Sequence, residues 1–95
     1  MRHTDIRRLV TRMVSVTNML RLQEIAIILP DEVYMQTAYS AVASAYMCET
    51  WVGGDGKTFI LMKSFTNVYL FGPDTTLPTE YDLIYRIREL SYILH

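Results

Sequence analysis

The chain has 95 residues, enough for one domain with a modest core, and we predict a single domain over residues 1–95. Its hydrophobic fraction of 51% with 20% charged residues excludes an intrinsically disordered chain, and we expect some of this apolar surface to meet a partner. The net charge of −1 is unevenly divided, because residues 1–21 carry five arginines against Asp5, a balance of +4, and the rest of the chain carries −5.

The first predicted element is an amphipathic helix from Asp5 to about Gln23, with Thr4 as its capping residue. Apolar residues recur at helical spacing along one side of this helix, and arginines dominate the other side. The apolar side consists of Ile6, Leu9, Val10, Met13, Thr17 and Leu20. Two further hydrophobic residues, Met19 and Leu22, fall on the polar side, which indicates a contact surface beyond the core.

The apolar run at residues 25–29 is rich in β-branched residues and ends at Pro30, so we expect the first helix to stop before it. This run suits either a short buried strand or an extended packing segment, and the sequence does not decide between them. A second helix is predicted from Val33 to about Met47, because residues 30–32 form a typical helix opening. Small residues that permit close approach to a neighbouring element line one side of this helix: Ala38, Ala41, Val42 and Ala45.

Three strands are predicted next, joined as an antiparallel meander. Residues 48–63 read as a β-hairpin around the glycine-rich turn at 53–56, and a third strand follows at Val68–Phe71. The second and third strands are apolar at consecutive positions, which is typical of strands covered on both faces. Helices could cover both faces, or one face could pack against a second copy of the chain; the high apolar fraction favours the second copy.

The last predicted element is a third helix that Thr79 caps, with Glu80 and Asp82 in its first turn, running towards His95. Four residues align on this helix at i, i+4, i+7 and i+11: Tyr81, Tyr85, Arg88 and Tyr92. Tyrosine and arginine are enriched at the energetic centres of protein interfaces, so this row is the predicted partner-binding surface. Trp51 of the hairpin is a further candidate for partner binding, with a corner of the core as its alternative place. The alternative is that the row is only the edge of the core-facing side.

Together these elements predict an α+β fold in the order α-(β)-α-β-β-β-α, in which a three-stranded antiparallel meander, with residues 25–29 as a possible fourth strand, packs against three helices. The predicted function is non-enzymatic binding of another protein, as an inhibitor or accessory factor, by a homodimer or other homo-oligomer. The alternative is a nucleic-acid or nucleotide binder that uses Arg7, Arg8 and Arg12. The acidic remainder of the chain would repel a long polyanion, which disfavours this alternative.

The sequence contains no evident catalytic, cofactor-binding or metal-ligating motif. His3 and His95 lie near the two ends, and Cys48 has no histidine close in sequence to activate it. A single cysteine excludes an internal disulfide and is typical of a reducing compartment. No apolar run is long enough to span a bilayer, and no signal-peptide pattern is evident, so we expect a cytoplasmic protein without membrane contact.

Overall fold

Two α-helices and five strands make up the described part of the chain. The computed structural model describes residues 1–46, 49–52, 58–61, 66–74, 76 and 80–87, with the side chains of 1–44, 66–74, 76 and 80–87. The helices are α1 (His3–Leu20) and α2 (Met35–Tyr46), and a 3₁₀ turn at Glu32–Tyr34 precedes α2. The strands are β1 (Glu24–Ile28), β2 (Glu49–Val52), β3 (Thr58–Leu61), β4 (Asn67–Phe71) and β5 (Leu83–Arg86).

The five strands form one mixed sheet in the order β2-β3-β4-β1-β5. β1 lies between β4 and β5 and is parallel to both, with Ala26 opposite Tyr69 on one side and opposite Ile84 on the other. β2, β3 and β4 are antiparallel neighbours in that order. The most continuously apolar segment of the chain therefore takes an interior position, as is usual for parallel strands that are covered on both faces.

The predicted fold class is wrong in its sheet and in its helix count. The predicted antiparallel strands are present as β2, β3 and β4, but they are only part of the sheet. The three strands whose side chains are described, β4, β1 and β5, are all parallel, so the sheet is mixed and is not a three-stranded antiparallel meander. Residues 25–29, which the sequence left undecided, supply most of the strand between β4 and β5. The segment predicted as a third helix contains β5, so the described ranges hold two α-helices instead of three.

Asp82 explains why the segment after residue 80 forms a strand instead of the predicted helix. Its carboxylate accepts hydrogen bonds from the backbone N–H groups of Gln23 (2.9 Å) and Glu24 (3.0 Å), and its own N–H donates to the carbonyl oxygen of Glu24 (2.9 Å). Asp82, which the sequence placed in the first turn of a helix, thus connects the start of β5 to the start of β1 by hydrogen bonds. Because the bonds from Glu24 and Gln23 stabilise the charged carboxylate, they lower the pKa of Asp82 below its ordinary value.

We expect Asp82→Asn to destabilise the protein at neutral pH and to do so much less in acid. A carboxyl whose pKa is lowered by folding stabilises the native state fully above its unfolded-state pKa of 3.8, and loses that contribution as the pH falls through the lower folded-state value. Thermal unfolding of both proteins between about pH 7 and about pH 2 measures the difference. Asp74→Asn, at an exposed turn residue, is the control with the same change of charge. A difference in Tm between Asp82→Asn and the parent that stays constant over this range would contradict the role of Asp82.

The side chains of the parallel strands form two separate cores, one on each face of the sheet. Both helices pack over the first face, against alternating residues of β1 and β4: Ile25, Ile27, Val68 and Leu70. On the second face Ala26, Ile28 and Phe71 are at most 4% exposed, with half-buried side chains packed around them. These three residues are buried within a single chain, so covering them does not require the predicted second copy.

Helix α1 buries the predicted side, but both of its ends differ from the prediction. It begins at His3 with Arg2 at the N-cap position, and not at Asp5 with Thr4 as the capping residue. The residues buried as predicted are Ile6, Leu9, Val10, Met13 and Thr17. The helix ends at Leu20, before the predicted Gln23, because Arg21 adopts the left-handed conformation (φ 56°) and the N–H of Leu22 bonds to the carbonyl oxygen of Thr17 (3.2 Å). Leu20 is therefore exposed and Leu22 packs against the core, which reverses the predicted placement of both residues.

Helix α2 packs on the same face as α1 through small residues. Ala38, Ala41 and Val42 are buried and belong to the same core as the apolar side of α1, in agreement with the predicted close approach. In place of the predicted helix opening at residues 30–32, a 3₁₀ turn at Glu32–Tyr34 leads into α2, which begins at Met35 and not at the predicted Val33. Asp31 caps this turn, since its carboxylate accepts a hydrogen bond from the N–H of Val33 at 3.0 Å.

Candidate functional site

The two described members of the predicted tyrosine and arginine row, Tyr81 and Tyr85, do not lie on one surface. Tyr85 lies on β5 and packs against the core of the first sheet face, whereas Tyr81 precedes β5 and packs on the second face. Arg88, Tyr92 and the side chain of Trp51 lie outside the described residues, although the backbone of Trp51 belongs to β2. The spacing that would align these residues on a helix therefore does not align them here, because the segment holding Tyr85 is a strand.

The three arginines of the alternative prediction are exposed on α1: Arg7, Arg8 and Arg12. Arg8 and Arg12 lie one helical turn apart, and Met19, which is 78% exposed, continues the same line at i+11. Val16 and Leu20 both lie beside this line, on the same side of it, and are 42% and 60% exposed. The surface formed by Arg8, Arg12, Val16, Met19 and Leu20 is named the α1 surface.

The α1 surface is basic in its N-terminal half and apolar in its C-terminal half. Five large hydrophobic side chains are exposed in the described part of the chain, and three of them lie on this surface. Arginine and methionine are enriched at protein interfaces, whereas binding to a phosphate backbone depends on positive charge spread along the contact. The composition of this surface therefore favours contact with a protein over contact with a polyanion.

A concave site that the sequence did not predict as a whole lies on the second face of the sheet. It is a cleft of about 370 Å³ whose described lining consists of Glu24, Tyr69, Glu80 and Tyr81. Glu24 opens β1 directly opposite Asn67 of β4, so the cleft lies where these two parallel strands begin. Its volume is within the range of pockets that hold small ligands. This site is named the tyrosine cleft.

Hydrogen bonds fix the carboxylate of Glu24 in the tyrosine cleft. It accepts one from the side-chain amide of Asn67 (Nδ2 to Oε1, 2.8 Å) and one from the phenol of Tyr69. Burial raises the pKa of Tyr69 to about 12, and the hydrogen bond to Glu24 and its negative charge act in the same direction. The phenol of Tyr69 is therefore a protonated donor throughout the physiological pH range, and Glu24 is held as an acceptor.

Aromatic contacts hold Tyr81 at the wall of the tyrosine cleft. Its ring meets Tyr69 edge to face, with centroids 5.1 Å apart and ring planes at 67°. It meets Phe71 in the same manner, at 5.8 Å and 76°. Because Phe71 is buried and belongs to β4, these contacts tie the segment before β5 to the middle of the sheet.

Of the four lining residues, the sequence predicted only Tyr81 as a site residue, as part of a helical row, whereas Tyr81 precedes a strand in the structure. The prediction missed Glu24, Tyr69 and Glu80, because the parallel pairing of β1 with β4 brings together residues that are far apart in the chain. One signal could have indicated Tyr69, which is the single tyrosine in an otherwise hydrocarbon run from Val68 to Phe71. A tyrosine hydroxyl in a buried strand usually needs a hydrogen-bond partner.

A functional assignment for this chain depends on its own geometry, since comparisons with protein-family models, with curated proteins and with solved structures each gave no match. Within the described ranges, neither helix combines the length and the hydrophobicity needed to cross a membrane. Over those same ranges no three side chains from His, Cys, Asp and Glu are grouped so as to hold a metal ion. The α1 surface and the tyrosine cleft are thus the two candidate binding sites in the part of the chain that the structure describes.

Proposed function

We propose that the protein is a non-enzymatic protein-binding module, acting as an inhibitor or accessory factor, and that it contacts its partner through the α1 surface. The observation that supports this proposal is the exposure of Val16, Met19 and Leu20 as neighbours on one helix. Exposed hydrophobic side chains are common singly, but adjacent ones beside charged residues mark a contact site. The proposal uses this surface and not the predicted row, because Tyr81 and Tyr85 pack on opposite faces of the sheet and Arg88 and Tyr92 lie outside the described residues.

The energetics of the α1 surface suit a protein partner of moderate affinity. Fully burying one large aliphatic side chain contributes about 1.5–3 kcal/mol, so the three partly exposed side chains together could contribute on the order of 3–6 kcal/mol. Arg8 and Arg12 extend the surface with positive charge. The complementary partner therefore has an apolar depression for Met19 and acidic residues at its edge.

The same charges argue that the partner is a different protein. If two copies met through identical α1 surfaces with antiparallel helices, the basic half of one copy would face the apolar half of the other, so Arg8 and Arg12 would meet no acidic residue there. The predicted homodimer is therefore not expected to use this surface. A homo-oligomer that forms through another face remains compatible with the proposal.

Site-specific photocrosslinking in the cells that naturally produce the protein tests this proposal. A photoreactive amino acid at Met19 is expected to give an adduct with one protein, whereas the same group at Val33 gives none. Val33 is a suitable control because it is 60% exposed and hydrophobic but lies outside α1. With the identified partner purified, Met19→Ala combined with Leu20→Ala is expected to weaken binding by about tenfold or more. Val33→Ala is expected to leave the affinity unchanged.

Three outcomes of this experiment would contradict the proposal. Equal adducts at Met19 and Val33, or none at Met19, would show that the α1 surface is not a specific contact. An adduct with nucleic acid, with an affinity that falls steeply with salt and is lost when Arg7, Arg8 and Arg12 are neutralised, would establish the alternative function. An adduct with a second copy of the chain would show that the α1 surface serves self-association.

A further inference from the structure

We propose that the tyrosine cleft binds an organic cation, either an alkylammonium or a guanidinium group. The cleft lies on the second face of the sheet, whereas α1 and α2 cover the first face. The cation site is therefore separate from the α1 surface, and the proposal for it does not depend on the proposed function.

The charge of the tyrosine cleft selects a cation. Glu24 and Glu80 both line the cleft, and its described lining contains no lysine or arginine. The carboxylate of Glu24 is held in place by Asn67 and Tyr69, so it is an acceptor of fixed position. An anion would meet two carboxylates, and an apolar ligand would have to remove them from water without compensation.

Hydrogen-bond acceptors are also in excess at this end of the sheet. Oδ1 of Asn67 is buried beside Glu24 without a hydrogen-bond partner among the residues described, and a buried unpaired acceptor is unusual. The amide nitrogen of Asn67 is already engaged with Glu24. Because Oδ1 is buried and Asn67 does not line the cleft, a ligand would not bond to it directly. Its partial negative charge adds to that of Glu24, which favours a positively charged ligand in the cleft over a neutral one.

The aromatic walls favour an organic cation over a metal ion. Tyr69 and Tyr81 stand at 67° to each other, with Phe71 behind Tyr81. The faces of tyrosine rings attract ammonium and guanidinium groups, and aromatic residues combined with carboxylates are the usual surroundings of bound quaternary ammonium ions. Calcium and magnesium instead require about six oxygen ligands, and the described part of the chain offers no group of three acidic or other metal-ligating side chains.

Titration of the isotope-labelled protein, followed by NMR of its backbone amides, tests this inference with two probes of matched shape. Choline carries a quaternary ammonium group, and 3,3-dimethyl-1-butanol is its neutral analogue. Choline is expected to shift the amide resonances of residues 24, 67–71 and 80–82 in a saturable manner. The neutral analogue is expected to bind about five- to tenfold more weakly, because it lacks the charge that the rings and carboxylates attract.

Variants separate a cation site from nonspecific contact. Glu80→Gln is expected to weaken choline binding about three- to fivefold, and it should not disturb folding because Glu80 is exposed. Glu32→Gln is the matched control, since Glu32 is also exposed but precedes α2, beyond the opposite end of β1. Equal binding of the two probes, or equal effects of the two variants, would overturn the proposal. Absence of saturable shifts with every cation tested would overturn it as well.

Two further probes identify the source of the cation. Nα-acetyl-arginine amide and Nα-acetyl-lysine amide carry the cationic groups of protein side chains. Tighter binding of either probe than of choline would support the cation site and assign its ligand to a side chain of another protein. Tighter binding of choline would also support the site and assign it to a small quaternary ammonium compound.

Discussion

Phe71→Ala is expected to lower the free energy of unfolding by about 3–5 kcal/mol. Phe71 is 1% exposed on β4 and packs with Ala26 and Ile28 on the second face of the sheet, where its ring also contacts Tyr81. Removing the ring leaves a cavity that strands fixed by backbone hydrogen bonds cannot close. Because a domain of this size has a total stability of about 5–15 kcal/mol, the variant would lose a large part of it.

Equilibrium unfolding in urea measures this loss for Phe71→Ala against a surface control. Met19→Ala removes a hydrophobic side chain that is 78% exposed, and we expect it to change the free energy of unfolding by no more than about 0.5 kcal/mol. A loss below about 1 kcal/mol for Phe71→Ala would show that the second face of the sheet is not a packed core.

Ile27→Ala is expected to cost about 2–5 kcal/mol, whereas Leu20→Ala is expected to cost less than about 0.5 kcal/mol. Ile27 is fully buried in β1 under both helices, and Leu20 is 60% exposed at the end of α1. The two substitutions remove similar side chains, so their difference reports the environment of each. The comparison is informative because the sequence pattern alone placed Leu20 in the core and left residues 25–29 undecided.

The same urea unfolding experiment distinguishes the placement of Leu20 that the sequence pattern predicts from the placement that the structure shows. Equal losses for Ile27→Ala and Leu20→Ala would mean that α1 continues past Leu20 with its apolar side against the core. A loss confined to Leu20→Ala would also remove β1 from the interior of the sheet. Unchanged m-values in both variants are needed for the comparison, since they indicate that the unfolding transition exposes the same surface.

Elements whose signals are local could be predicted from the sequence. Both helices recur close to their predicted positions, because the pattern that buries one side of a helix lies within the helix itself. The end of α1 was misplaced by three residues. There the left-handed conformation of Arg21 stops the helix, and an arginine at this position carries none of the glycine signal that usually marks such an end.

Elements that depend on contacts with residues far away in the sequence could not be predicted in the same way. Threonine and acids before Leu83 favour a helix. In the structure, however, the carboxylate of Asp82 accepts hydrogen bonds from the N–H groups of Gln23 and Glu24. No local pattern reveals a partner almost sixty residues away, and β-branched and aromatic residues in β5 suit a strand once β1 is beside it. The tyrosine cleft was missed for the same reason, since the register of β1 with β4 creates it.

The position of β1 has a consequence for synthesis of the chain on the ribosome. Glu24 bonds to Asn67, 43 residues later, and to Asp82, 58 residues later. At about 5–20 residues per second, roughly 3–12 s pass between the synthesis of β1 and that of the segment that completes its second side. During this interval the five consecutive apolar residues Ile25–Leu29 lack at least one of the two neighbouring strands, β4 and β5. Such a segment readily pairs with other nascent chains. A chaperone that shields it until residue 83 has emerged would therefore raise the yield of folded protein.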